Sequence, residues 1–375
     1  MAMNDASIFS GLPLASGLNL RNRLVMPPMT TWSADDDGSV SDAEIEYYRA
    51  RVQDVGLVIT GCTHVQANGV GFTGEFAAYD DAFLPGLTRL ATAAKSGGAP
   101  AILQIFHAGV KTSPDLSSDI VAASAVPVDA GLFTPPVTPR ALSCDEVAEV
   151  VAAFGAATRR AIEAGFDGVE LHGAHAFLLQ NFVSPHTNRR SDQWGGPLEN
   201  RLRFPLAVVE AVSAAAKLTD RPFVVGYRVS ADEPHADGLR LADTLVLVDR
   251  LIGEGIDYIH VSLPDALHVK AVDNPDGPTV LKEVSRLVAD RVPVIASGRI
   301  RTPERAEQVI AAGASLVGLG QGLVMNPDWV ALARQGRTDA LRTEVAAKEA
   351  PALHIPAKLW TVIENTPGWF AVRAE

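Results

Sequence analysis

Short apolar runs rich in β-branched residues alternate along this chain with Ala-rich amphipathic stretches, a rhythm that predicts strand–helix units and a parallel sheet. Eight runs carry the strand pattern: RLVMPPM at 23–29, GLVITGCTHV at 56–65, AILQIFHAG at 101–109, GVELHGAH at 168–175, FVVGYRVS at 223–230, DYIHVS at 257–262, VPVIASGRI at 292–300 and SLVGLGQG at 315–322. Helical patterns follow most of them, among them SDAEIEYYRARV from Ser41, CDEVAEVVAAFGAATRRAIEAG from Cys144 and LENRLRFPLAVVEAVSAAAK from Leu198. Eight such units in 375 residues predict an α/β fold, a (β/α)8 TIM barrel. Ahead of the first run, Phe9 to Asn22 reads as a short β-hairpin around a Gly-containing turn that closes the barrel bottom. The third connection, Lys111 to Leu142, is long and rich in Pro, Ser and Thr, and is expected either to cap the site or to form a small excursion. The barrel is expected over residues 1–336, with a tail over 337–375 whose closing WTVIENTPGWF packs on the barrel or on a neighbouring subunit.

Composition narrows the classes of function. Hydrophobic residues make up 47% of the chain, enough for a large core. Lys plus Arg total 32 against 44 Asp plus Glu, so the surface lacks the basic footprint that a nucleic-acid partner demands. Cys62 and Cys144 are the only cysteines, too few for a disulfide framework, a four-Cys zinc site or an iron–sulfur cluster. The N-terminus has no basic-then-apolar signal and no apolar run approaches the roughly 20 residues of a membrane span, so a cytoplasmic protein without a membrane partner is expected.

In such barrels chemistry sits where the strands end. The predicted strand ends are polar: Thr30, Gln104, His107, His172, His175 and Arg228, followed by the glycines of ASGRI and GLGQGL. Gly298, Gly320 and Gly322 fall after strands seven and eight, the usual phosphate position of these barrels, where Arg299 adds charge. They predict a phosphate-bearing cofactor or substrate, against the plainer reading that they only turn the chain. Arg228 lies in an apolar strand and needs an anionic or accepting partner, either a flavin's pyrimidine edge or a structural carboxylate such as Glu170. His172 and His175, flanked by Gly173 and Ala174, read as two neutral donors for an oxyanion. A zinc site is the alternative, but no His-x-His strand motif or acidic cluster accompanies them, and no metal is expected.

RNRLVMPPMT, LQIFHAG, GFDGVELHGAH, NFVSPHTNRRSDQWGGPLENRLRF and VGYRVS together resemble the Old Yellow Enzyme family, the FMN-dependent ene-reductases also called NADH:flavin oxidoreductases. The resemblance runs from about Ile8 to Trp329, and the closing TPGWF is similar to a bacterial NADH-dependent branch. It implies an oxidoreductase with FMN as cofactor, NADH or NADPH as reductant and a small-molecule acceptor, and it is compatible with a homo-oligomer. By the same resemblance Pro27, Pro28, Met29 and Thr30 line the flavin, Cys62 lies against its ring and Gln104 and Arg228 hold its pyrimidine edge. Gly298, Gly320 and Gln321 would meet the phosphate, with Arg299 as a second cation, and Trp32 would wall the substrate pocket. His172 and His175 would bind the carbonyl or nitro oxygen of an activated alkene, which receives hydride in a ping-pong cycle.

One position departs from the pattern. The family has a proton-donating tyrosine where this chain has Phe177, and a phenyl ring cannot donate. The expected activity is therefore alkene reduction with impaired or water-assisted protonation. Alternatives are reduction of quinone, nitro or other acceptors, the oxidative direction, and, more distantly, a zinc-dependent barrel hydrolase.

Overall fold

The computed structural model describes residues 7–373. Eight parallel strands close on themselves: β1 (Leu24–Met26), β2 (Leu57–Ile59), β3 (Ala101–Phe106), β4 (Gly168–Gly173), β5 (Val224–Ser230), β6 (Tyr258–Ser262), β7 (Val294–Ser297) and β8 (Leu316–Gly318). Each pairs with the next, and β8 returns to β1 through Val317 opposite Leu24, so no barrel edge is left open. Helices cover the outside, each burying one apolar stripe against the strands.

The predicted N-terminal hairpin forms, with Leu12–Pro13 antiparallel to Asn19–Leu20. Leu14 and Leu20 pack against Val25, Leu57, Ile102, Val224, Tyr258, Ile295 and Leu316, closing the end of the barrel opposite the histidines. Inside the barrel, Gly226 of β5 removes a clash: a Cβ there would lie 2.0 Å from the Tyr258 ring. Tyr258 can therefore lie across the barrel and reach β4.

Three boundaries differ from the sequence expectation. The helix predicted from Leu198 is two pieces, Leu198–Arg201 and Arg203–Ala216, joined at Leu202. Several strands, β1, β2, β4 and β7 among them, also stop short of their apolar runs, because the ladder ends where the chain bends away from its neighbour. The eighth run stops at Gly318, and Gly320–Met325 is a helix whose Leu323, Val324 and Met325 are buried, so apolar character there reflects burial rather than extension. The long third connection contains a two-residue parallel ladder, Val121–Ala122 with Arg140–Ala141, and carries Leu132 and Phe133 to the barrel mouth.

Candidate active site

The site begins at the end of β4. After Gly173 the backbone turns through His175 at φ 59° and Ala176 at φ 60°, the left-handed region that non-glycine residues seldom adopt. Trp32 and Arg299, at φ 54° and 52°, share this strain at other strand ends. The turn is held by the His175 N–H, which donates to Ser230 Oγ at 2.9 Å. It brings the His172 and His175 rings together, with centroids 4.9 Å apart.

The protonation of both rings follows from their surroundings. Ala174 N–H donates to His172 Nδ1 at 3.3 Å, so the proton of a neutral ring belongs on Nε2. Burial, then the neighbouring His175 and Arg228, push His172 well below the usual imidazole range. His175 opens toward the cavity yet lies deep in the barrel mouth, and desolvation followed by Arg228 pushes it down as well. Both rings are therefore neutral near pH 7 and act as hydrogen-bond donors rather than as charged acids.

Beneath them lies a buried polar floor. Arg228 sits between His172 of β4 and His260 of β6 in register, and its Nη2 donates to Ser262 Oγ at 3.0 Å. The same hydroxyl is 2.8 Å from His175 Nε2. Glu170, considered from sequence as an ion-pair partner for Arg228, instead takes its bonds from Gln104 Nε2 at 2.7 Å, Tyr258 O–H at 3.0 Å and the His260 ring at 3.0 Å. Arg228 feels that carboxylate without touching it, and its Nε is buried with no partner. An unpartnered guanidinium nitrogen aimed into a cavity calls for an acceptor from a bound group.

A second, smaller cavity of about 150 Å³ continues from the first and shares Pro28, Met29, Arg228 and Trp369 with it. Gly298, Arg299, Arg301, Gly320 and Gln321 line it, and among the described residues no Asp or Glu does. Gly298, at φ 149°, lets the backbone pass Leu263 O, which a Cβ would meet at 2.5 Å. Burial and the like charge of Arg299 lower the Arg301 pKa, and Arg301 Nε is buried without a partner. Two neighbouring arginines with no carboxylate suit a phosphate. Gln321 bridges Arg301 and the Trp369 carbonyl, so its amide serves mainly to orient that guanidinium. The donor set thus fits a flat heterocycle over Arg228 and Gln104 with a phosphate arm.

The main cavity, about 360 Å³, is walled by Met29, Thr30, Trp32, Cys62, Phe72, Phe177 and the two histidines. Trp32, Phe133 and Trp369 meet ring to ring over its mouth, 5.4 to 5.9 Å between centroids. Among the described residues its cations are Arg228 and Lys111, and no carboxylate lines it. Phe177 is buried 4.6 Å from the His172 ring and 4.8 Å from Phe106. His107, also a candidate from sequence, is not in this wall: its Nδ1 accepts from Gly109 N–H and its Nε2 lies 3.3 Å from Asn68. Among the described residues no group of three or more His, Cys, Asp or Glu side chains is arranged to hold a metal ion, and no helix is long and apolar enough to cross a membrane.

Sequence reasoning missed His260, Ser262, Arg301, Phe133, Lys111 and Trp369. The first two had a signal: in DYIHVS the alternation puts Tyr258, His260 and Ser262 on one face of β6. The others come from loops, whose path no local pattern encodes.

A family model for the NADH:flavin oxidoreductase / NADH oxidase family matches residues 7–340. A probable NADH-dependent flavin oxidoreductase of Bacillus subtilis is 41% identical over 96% of this chain and 97% of its own length. Among solved structures, an old yellow enzyme homologue from Zymomonas mobilis superimposes with a TM-score of 0.77 at 25% identity, over 89% of this chain and 93% of that one. Morphinone reductase in complex with tetrahydroNAD gives 0.76 at 27% identity over 99% of both chains.

Proposed function

This chain belongs to the NADH:flavin oxidoreductase / NADH oxidase family, the Old Yellow Enzyme group, and we propose that it reduces activated alkenes, α,β-unsaturated carbonyl or nitro compounds, at the expense of a reduced nicotinamide. The observation that carries this reading is the pair of neutral imidazoles converging on a cavity, with His172 Nε2–H given no acceptor among the described residues. FMN is the family's cofactor; bound here, it would supply the hydride chemistry that links the nicotinamide to the β-carbon of the acceptor. Gln104 and Arg228 would hold its ring, and Gly298, Arg299, Gly320 and Arg301 its phosphate.

The protein's own part is to bind the acceptor oxygen and stabilise the charge that develops there. His172 donates through Nε2. Ser262 Oγ accepts from Arg228 and has its O–H available for His175 Nε2, a pairing that would put the second imidazole proton on Nδ1. Each such donor is worth up to about 3 to 4 kcal/mol to a developing oxyanion. Among the described residues no carboxylate lines the cavity to repel that oxygen. The histidine pair opens on this cavity, and a ping-pong cycle would have nicotinamide and acceptor occupy it in turn. Phe177 supplies no proton, and this favours, as a second reading, acceptors that need none on carbon, such as quinones.

Steady-state reduction of 2-cyclohexenone and of benzoquinone by NADH separates the two. Alkene reduction predicts measurable enone turnover that falls by about 100-fold or more in His172→Ala. Rapid quinone turnover with no enone reduction would replace it with the second reading.

A further inference from the structure

The phenyl ring of Phe177 leaves the α-carbon of a reduced alkene without its proton, and the structure holds one buried acid chain that ends in the same cavity. Cys62 lines the cavity and packs in one side-chain cluster with Phe177, Phe106 and Phe72. Its Sγ lies 3.9 Å from Glu75 Oε2, and Glu75 Oε1 lies 2.7 Å from His64 Nδ1. Glu75 and His64 are 4% and 5% exposed. The His64 ring in turn lies 5.5 Å from that of Tyr79, which is at the surface. Thus thiol, carboxyl and imidazole form a line from cavity to protein surface.

We propose that Cys62, Glu75 and His64 deliver the proton of alkene reduction, with the Cys62 thiol donating to the α-carbon. This rests on the alkene reading above. The Cys62 S–H bond breaks as the α-carbon–hydrogen bond forms, completing the two-electron reduction that hydride transfer to the β-carbon begins. The thiolate takes the proton of the Glu75 carboxyl. The carboxylate is refilled from His64 Nδ1, while His64 Nε2 takes a proton from water. Nicotinamide supplies the electrons, so no further reductant is needed.

Three features argue against a passive cluster. Burying a carboxyl costs several kcal/mol, and an apolar residue beside Cys62 would avoid that cost. Glu75 is nevertheless fixed there, with Gly71 N–H donating to Oε2 at 3.2 Å. Burial raises the Glu75 carboxyl to about 6, so that it gains and loses a proton near neutral pH. Burial, then Glu75, holds Cys62 well above the usual thiol range, so it remains a protonated thiol, a weak acid in the manner of the missing phenol. The other polar groups facing this chain are the Thr30 hydroxyl 3.6 Å from Cys62 Sγ, Tyr48 and Arg228 near Cys62, and His107 near His64.

The test follows reoxidation of the NADH-reduced holoenzyme by 2-cyclohexenone and, separately, by benzoquinone, in H2O and D2O. The expected result is an enone-to-quinone rate ratio lowered by about 100-fold in Cys62→Ala and by about tenfold or more in Glu75→Gln. The enone reaction of the native enzyme should also show a solvent isotope effect. Adding Phe177→Tyr to Cys62→Ala should restore the ratio, which repair of a merely structural defect would not do. Alkylation of Cys62 by iodoacetamide in a Cys144→Ser background gives a readout apart from turnover: Glu75→Gln should move its onset to lower pH, because the neighbouring negative charge is gone. A ratio within about twofold of native in both single variants, with FMN retained, overturns the proton chain. A native enzyme that reduces quinone and no enone overturns the alkene reading itself, and the chain with it.

Discussion

At the scale of single residues, polar groups here are placed by what surrounds them more than by their own chemistry. His172 is a donor because Ala174 N–H occupies its other nitrogen, and Arg228 is open to a ligand because Glu170 is taken by Gln104, Tyr258 and His260. Glu44 makes the same point away from the site. It is fully buried in the Asp42–Arg51 helix, accepts from the Thr31 hydroxyl and has an unpartnered Oε2. Burial raises its carboxyl from 4.5 to about 7. The folded state thus binds a proton that the unfolded state has released between these values. Its stabilising contribution is complete below pH 4.5 and is lost as pH rises through about 7, amounting to roughly 3 kcal/mol. Urea unfolding should give a native protein less stable at pH 8 than at pH 5, and Glu44→Gln should flatten that slope. An unchanged slope would mean that Glu44 ionises normally in the fold.

At the scale of elements, local signals set where helices begin, and packing sets where strands stop. Ser143 caps the Cys144–Ala164 helix by accepting from Glu146 N–H, and Glu146 reaches back to Ser143 N–H at 2.7 Å. That reciprocal pair was legible in SCDE. Ser143→Ala should cost about 1 kcal/mol in urea unfolding. It should leave enone turnover unchanged, since the helix lies outside the barrel. Much of the site comes from strands whose ladder breaks before the apolar run does, β1, β2, β4 and β7, and the freed residues, Pro27 to Thr30, Cys62, His175 and Arg299, bend over the cavity. The left-handed turn at His175 and Ala176 is the sharpest case. Propensity alone does not foretell it: histidine enters the left-handed region more readily than most residues, but alanine does not, and two such residues in succession are uncommon.

At the scale of the molecule, closure of the barrel gathers cations from β5 and from the loop after β7 into neighbouring cavities that no carboxylate lines. An anion in place would offset the burial and mutual repulsion of these arginines. Removal of FMN should lower the melting temperature, by an amount equal to about 2.7 kcal/mol at a hundredfold excess of cofactor over its Kd. Inorganic phosphate should recover part of that loss through Arg299 and Arg301. No recovery would mean that the arginines serve the fold alone. Eight short apolar runs alternating with Ala-rich amphipathic stretches were enough for a (β/α)8 barrel and its polar strand ends, and a Gly-containing turn for the bottom hairpin, because strands buried on both faces read as continuous apolar runs and helices as stripes of period 3.6. The same strand-end rule picked out His172, His175, Gln104, Arg228 and Gly298 as candidates. Only the tertiary structure decided that Glu170 serves the floor rather than Arg228, that Arg301 stands beside Arg299, and that Trp369, Phe133 and Trp32 share the mouth. It also set Cys62 beside Glu75, 13 positions away in the chain, within reach of the cavity that Phe177 cannot supply with a proton. Periodicity records which face of an element is buried, whereas these pairings depend on loop paths and on side chains meeting across the barrel.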